Sequence, residues 1–141
     1  MPSGEQAEGF RQTRAARRSE TAEDYVELIA ELISTRGEAR AVDIAARLGI
    51  AQATVANTVA RLQREGLVVH QPYRAIFLTE AGCRLAAAVR QRHRMVVAFL
   101  LALGVSERTA EQDAEGIEHH VSEETLAAFA RFVGAGAGSS G

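Results

Sequence analysis

Between Glu23 and Arg36 apolar side chains recur at Tyr25, Val26, Ile29, Leu32 and Ile33, the spacing of one helical face, and Gly37 ends the run. Residues 1–22 have no apolar period and read as a flexible arm, with helix-forming residues around Arg11 to Arg18. Val42, Ile44, Ala45 and Leu48 mark a short helix closed by Gly49. Ile50, Val55, Val59 and Leu62 mark a second, which stops at Gly66. The pattern then turns strand-like. Leu67 to His70 and Ala75 to Leu78 flank Gln71-Pro72-Tyr73-Arg74, and two such runs around a Pro-containing turn predict a hairpin.

A short helix, a tight turn, a longer helix and a hairpin follow one another in the order of a winged helix-turn-helix. Thr79 is placed to cap a long helix whose stripe is Leu85, Val89, Val96, Val97, Leu100 and Leu101, ended by Gly104. Ser106 before Glu107 reads as another N-cap, with a favourable charge in the first turn. A last helix starts at Ser122-Glu123-Glu124 and carries Leu126, Phe129, Phe132 and Val133. The Gly, Ala and Ser residues from 134 to 141 read as a flexible tail. The predicted fold is mainly α. An arm at 1–22 precedes a winged-helix domain at 23–78 with a small β-hairpin wing, then a helical domain at 79–133.

Composition narrows the function classes. Among 141 residues, 47% are apolar, too many for global disorder. The longest apolar run, Met95 to Val105, is broken by Gly104 and falls well short of the ~20 residues a membrane span needs. No basic-then-apolar leader opens the chain, and the single cysteine, Cys83, makes neither an internal disulfide nor a thiolate zinc site. A cytoplasmic protein with no membrane partner is expected. Lysine is absent, which we ascribe to base composition, and alanine occurs 27 times, which favours helix. Charge is unevenly spread. Arg36 to Arg94 holds ten arginines against four acids, whereas Met95 onward holds two against seven. The basic middle suggests an anionic partner such as nucleic acid.

Three groups of residues carry candidate chemistry. Asp24 and Glu27 lie one turn apart on the first periodic helix, hence on one face. Glu115, Glu118 and His119 share a side if the local backbone is helical. His93 falls on the apolar stripe of the long helix, so it should be partly buried and in need of a partner. Two carboxylates converging with an imidazole repel unless a cation or protons neutralise them. Four carboxylates and two imidazoles without a thiolate suit Mn²⁺ or Fe²⁺ better than a closed zinc site. Since affinity alone favours Zn²⁺ and Cu²⁺ over Mn²⁺, selectivity would have to come from coordination number and geometry.

Specific stretches then match a known family. They are Glu23-Asp24-Tyr25-Val26-Glu27, Val42-Asp43-Ile44-Ala45-Ala46-Arg47-Leu48-Gly49, Phe77-Leu78-Thr79-Glu80-Ala81-Gly82, Arg92-His93 and Leu103-Gly104-Val105. The longest is Asp113-Ala114-Glu115-Gly116-Ile117-Glu118-His119-His120-Val121-Ser122. From about Gly9 to Phe132 the chain resembles the manganese-sensing members of the diphtheria toxin repressor family. The resemblance implies a winged-helix DNA-binding domain followed by a helical dimerisation domain. It implies metal ligands at Asp24, Glu27, His93, Glu115, Glu118 and His119, two Mn²⁺ per subunit bridged by Glu115 and Glu118, and Fe²⁺ as a secondary metal. Iron-sensing relatives carry Met where Asp24 stands and Cys where Glu115 stands, so the two carboxylates here agree with the softness argument. The implied output is metal-dependent repression of manganese uptake genes, with control of export as an extension.

The expected partners are double-stranded operator DNA and a second copy of the chain, with no small organic substrate. Gln52, Thr54, Asn57 and Thr58 are expected at base edges, because Gln and Asn pair bidentately with adenine and Thr methyls meet thymine methyls. Arg61, Arg64 and Arg74 are expected on phosphates, with Tyr73 and Arg74 at the tip of the wing. Relatives often have Ser and Lys where Ala51 and Asn57 stand, so a helix cap and a phosphate contact are missing here. The main alternative is a metal-independent winged-helix regulator, in which the acidic cluster is only surface. An enzyme is not expected, since no general base lies outside the proposed ligands and no Gly-rich phosphate loop is present.

Overall fold

A computed structural model describes residues 3–139. The elements run α1 (Ser3–Arg36), α2 (Ala41–Leu48), α3 (Gln52–Arg64), β1 (Val68–Val69), β2 (Phe77–Leu78), α4 (Glu80–Ala102), α5 (Glu107–Ile117) and α6 (Glu123–Ser139). The chain divides into two compact units, Met1–Ala86 and Ala87–Gly141. Among the described residues no helix is long and apolar enough to cross a membrane.

In the first unit, Tyr25, Leu28, Ile29 and Leu32 of α1 pack with Ile44 of α2, with Val55, Val59 and Leu62 of α3, and with Val68 and Ile76 of the hairpin. The α3 contributors are spaced by four and three residues, so they form one stripe and leave the rest of that helix to solvent. Gly49 caps α2 in the left-handed conformation (φ 66°), its N–H bonded to the Ala45 carbonyl. That cap is what makes the turn into α3 tight. Strands β1 and β2 pair antiparallel, Val68 opposite Leu78 and Val69 opposite Phe77. Each is shorter than the apolar runs predict, and an isolated bridge joins Ile76 to Ala39 instead of extending the hairpin.

Thr79 caps α4 as expected. Its hydroxyl oxygen accepts the Gly82 N–H at 3.0 Å and its O–H donates to the Gly66 carbonyl at 2.6 Å. The backbone at Gly82 passes so close to Leu67 that a Cβ there would collide with the Leu67 carbonyl oxygen. Only glycine therefore lets α4 start against the turn that leads into β1.

Helix runs from Ser3 through Arg11 to Arg18 into the rest of α1, and α6 runs on as far as Ser139; positions 1–2 and 140–141 lie outside the described residues. Residues 4–19 are exposed, in keeping with the arm's lack of an apolar stripe. Good helix formers and local pairs such as Glu8 with Arg11 at 2.8 Å suffice to continue the helix.

In the second unit, Phe99 of α4 stacks on Phe129 of α6 with ring centroids 3.9 Å apart and meets Phe132 edge-on at 5.5 Å. Ala110 and Ala114 are fully buried and fix the inward face of α5. Ser106 accepts the Thr109 N–H and caps that helix, as expected.

Candidate metal centre and nucleic-acid face

The inward stripe of α5 runs Ala110, Ala114 and, four residues on, Glu118. A carboxylate is thereby placed where an apolar side chain would ordinarily sit. Glu118 stands at the C-cap but keeps helical angles (φ −59°, ψ −25°), with its N–H bonded to the Ala114 carbonyl. Glu118 is 3% exposed, a charged residue buried among apolar ones. Burying an ionised carboxylate costs free energy unless partners compensate it.

The partners are imidazoles. His93 of α4 places Nδ1 2.6 Å from Glu118 Oε2. The other Glu118 oxygen, Oε1, lies 3.6 Å from His119 Nε2. The remaining ring nitrogen of His93, Nε2, lies 2.7 Å from Oε2 of Glu111. With a proton on both nitrogens, His93 donates to both carboxylates. Burial, the largest single influence, works against that imidazolium, but the hydrogen bonds and charges of Glu111 and Glu118 together outweigh it, and its pKa is raised above 6.5.

The structure thus brings together His93, Glu118 and His119, and adds Glu111, which sequence reasoning missed. Glu111 lies one turn before Glu115 and two before Glu118, so extending the acidic stripe back along α5 is the signal that finds it. Glu115 is exposed on the last turn of α5. In the first unit, Asp24 is exposed and Glu27 half-buried on α1, one turn apart as expected.

The residues expected on nucleic acid cluster on α3 and the hairpin loop. Gln52, Thr54, Asn57 and Arg64 are exposed, and Thr58 and Arg61 are half-buried beside the Val55–Val59–Leu62 stripe. Arg61 Nε lies 3.7 Å from Glu65, and its Nε and Nη2 are shielded from solvent without a hydrogen-bond acceptor. Arg64 and Arg74 are open to solvent. Tyr73 is 99% exposed and takes a left-handed backbone (φ 63°), uncommon for an aromatic residue. Ala51 precedes α3 with extended angles and no side-chain cap, the consequence expected of an alanine there. Elsewhere in the basic block, Arg47 pairs with Glu31 at 2.9 Å and Arg36 with Asp43 at 3.3 Å, so those two arginines are occupied within the unit.

Two sequence models cover most of the chain. Residues 18–76 match "Iron dependent repressor, N-terminal DNA binding domain" and residues 79–136 match "Iron dependent repressor, metal binding and dimerisation domain". The chain belongs to the iron-dependent, or diphtheria toxin, repressor family. Its members are transcriptional regulators, not an enzyme family. The repressor-family relatives include the transcriptional regulator MntR of Escherichia coli O6:H1, 57% identical over 91% of this chain and 83% of that protein. Another is the HTH-type transcriptional regulator MntR of Lysinibacillus sphaericus, 40% identical over 71% of this chain and 72% of that protein. A solved manganese-dependent transcriptional repressor in complex with manganese superposes with a TM-score of 0.72 at 30% identity, over 80% of this chain and 52% of the solved one. This chain therefore spans about half the length of that repressor.

The family implies a metal, and the residues present fit one. A buried carboxylate set between two imidazoles offers hard oxygen and borderline nitrogen donors, with no thiolate near. A divalent cation would compensate the Glu118 carboxylate as its imidazole partners do in this structure.

Proposed function

We propose that this chain is a Mn²⁺-responsive, DNA-binding repressor that switches off manganese uptake genes, and governs export, when the metal is abundant. The observation that carries the reading is the buried Glu118 between His93 and His119, in a chain of the repressor family. His93, Glu115, Glu118 and His119 would hold the metal from the second unit and Asp24 and Glu27 from α1. Glu115 and Glu118 would be shared between two ions per subunit. Mn²⁺ is favoured because no ligand is a thiolate, and Fe²⁺ is the secondary metal. A bound divalent cation supplies positive charge that lets these carboxylates be close while ionised.

Without that charge the same carboxylates repel. Asp24 and Glu27 ride on the helix whose inner face anchors α2 and α3. Restraining them restrains the recognition helix. Two copies held as a homodimer would then present their α3 helices at successive major grooves, about 34 Å apart. Ordering completed before DNA arrives is not lost on binding, and a tenfold gain in affinity needs only ~1.4 kcal/mol of coupling. On DNA, Gln52, Thr54, Asn57 and Thr58 would read base edges, Arg61, Arg64 and Arg74 would hold phosphates, and Tyr73 would lead the wing. Such a regulator works in the cytoplasm and takes no small organic substrate.

A metal-independent regulator would keep Glu118 paired with the protonated His93 alone and would not respond to the ion. The test is affinity for operator DNA, selected by the protein from a random duplex pool, against free Mn²⁺, Fe²⁺ and Zn²⁺ at fixed salt. The proposal expects affinity to rise with Mn²⁺ and collapse on chelation. Affinity indifferent to chelator would overturn it.

A further inference from the structure

The ring of His93 is held at both ends. Its two nitrogens point away from each other, so only one can face an ion, and the other needs an acceptor. Nδ1 is at the buried end, 2.6 Å from Glu118, whose other oxygen faces His119. Nε2 is at the solvent edge, 2.7 Å from Glu111, a carboxylate that is 55% exposed. Glu111 belongs to α5, whose start is fixed by the Ser106 cap and whose inward face is fixed by the buried Ala110 and Ala114. Helical offset puts Glu111 just beside Ala110, at the margin of that face, within reach of α4 but clear of the interior.

We propose that Glu111 is a positioning residue of the metal centre: it accepts the Nε2–H of His93 and so keeps Nδ1 as the donor nitrogen beside Glu118. This rests on the metal-regulator reading and deepens it. Glu111 makes no bond to the metal. It fixes which tautomer His93 presents, stops the ring from rotating about χ2, and makes the imidazole a better donor by drawing on its other N–H. Such an arrangement, carboxylate to imidazole to cation, raises affinity without adding a ligand, and removing the carboxylate costs 10–100-fold in metal affinity as an order-of-magnitude expectation.

The experiment is Mn²⁺ binding to the full chain without DNA, with free ion counted by its electron paramagnetic resonance signal. It compares the wild type with Glu111→Ala, Glu111→Gln and His93→Ala, and thermal unfolding of each metal-free protein checks that the variants fold. Glu111→Ala should bind about 10–100-fold more weakly. Glu111→Gln, whose amide oxygen still accepts the Nε2–H, should recover most of that loss. His93→Ala should lose more than either. A Glu111→Ala protein that binds like the wild type overturns the inference. So does a Glu111→Gln protein as weak as His93→Ala, because that marks Glu111 as a ligand. If the wild type binds no Mn²⁺, the metal-regulator reading itself fails, a result distinct from both.

Discussion

The two units bury different things. The first closes on Ile29, Leu32, Ile44, Val55, Val59, Leu62 and Ile76, all apolar and all essentially inaccessible. The second closes on Val89, Val96, Ala110 and Ala114 and then places Glu118 in line with the alanines. An apolar core can be assembled from packing alone, and its task is to hold α3 at a defined angle. A core with a carboxylate in it is stable only with the right neighbours, and that dependence is what lets a cation act on it. The first unit is thus a rigid presenter and the second a conditional one.

Substitutions can break that contrast. The largest effect on stability should come from Ile44→Ala, which opens a cavity in the first unit and costs about 2–5 kcal/mol of unfolding free energy by denaturant titration. Mn²⁺ binding by the second unit's residues should persist below the melting point. Loss of both together would make the two units one cooperative body. Glu118→Gln should do the reverse: Mn²⁺ affinity should fall by more than the ~10–100-fold of a supporting residue, with the fold retained by circular dichroism.

Acidity sharpens the comparison at one residue. His93 must shed its proton to act as a ligand, and its pKa is raised above 6.5. Mn²⁺ affinity should therefore weaken as pH falls through that raised value, by about tenfold per unit for each proton displaced. In the metal-free protein the sign is opposite. A raised folded pKa contributes stability that is fully present below 6.5 and is lost as pH rises through the folded value. Thermal unfolding against pH, with and without Mn²⁺, reads both slopes. The smallest effect should come from Arg74→Ala on the exposed loop. It should weaken DNA binding across sequences and lower the salt slope by about one charge, as measured by affinity at several salt concentrations.

Much of this was legible in the chain. The α2–α3 pair announced itself by apolar spacing and by Gly49 and Gly66, and α4 and α5 by Thr79 and Ser106, because caps and stripes are local signals. The apolar stripe placed His93 where it needed a partner, and the structure gives it two. What escaped were features that no period marks. The first turns of α1 are exposed, so their helix rests on propensity and exposed pairs. The strands shortened because Ile76 bridges to Ala39, a contact the hairpin pattern does not encode. Glu111 looked like any solvated acid, since only the approach of α4 to α5 reveals which ring it reaches.

In the proposed function Asp24 of α1 would hold the same cation as Glu118. The most direct measurement is an Mn²⁺ titration of operator binding by the wild type and by Asp24→Ala, with dimer mass and folding checked in parallel. The wild type should show a steep gain in affinity and the folded, dimeric variant little or none. An Asp24→Ala protein that responds to Mn²⁺ as the wild type does would contradict it.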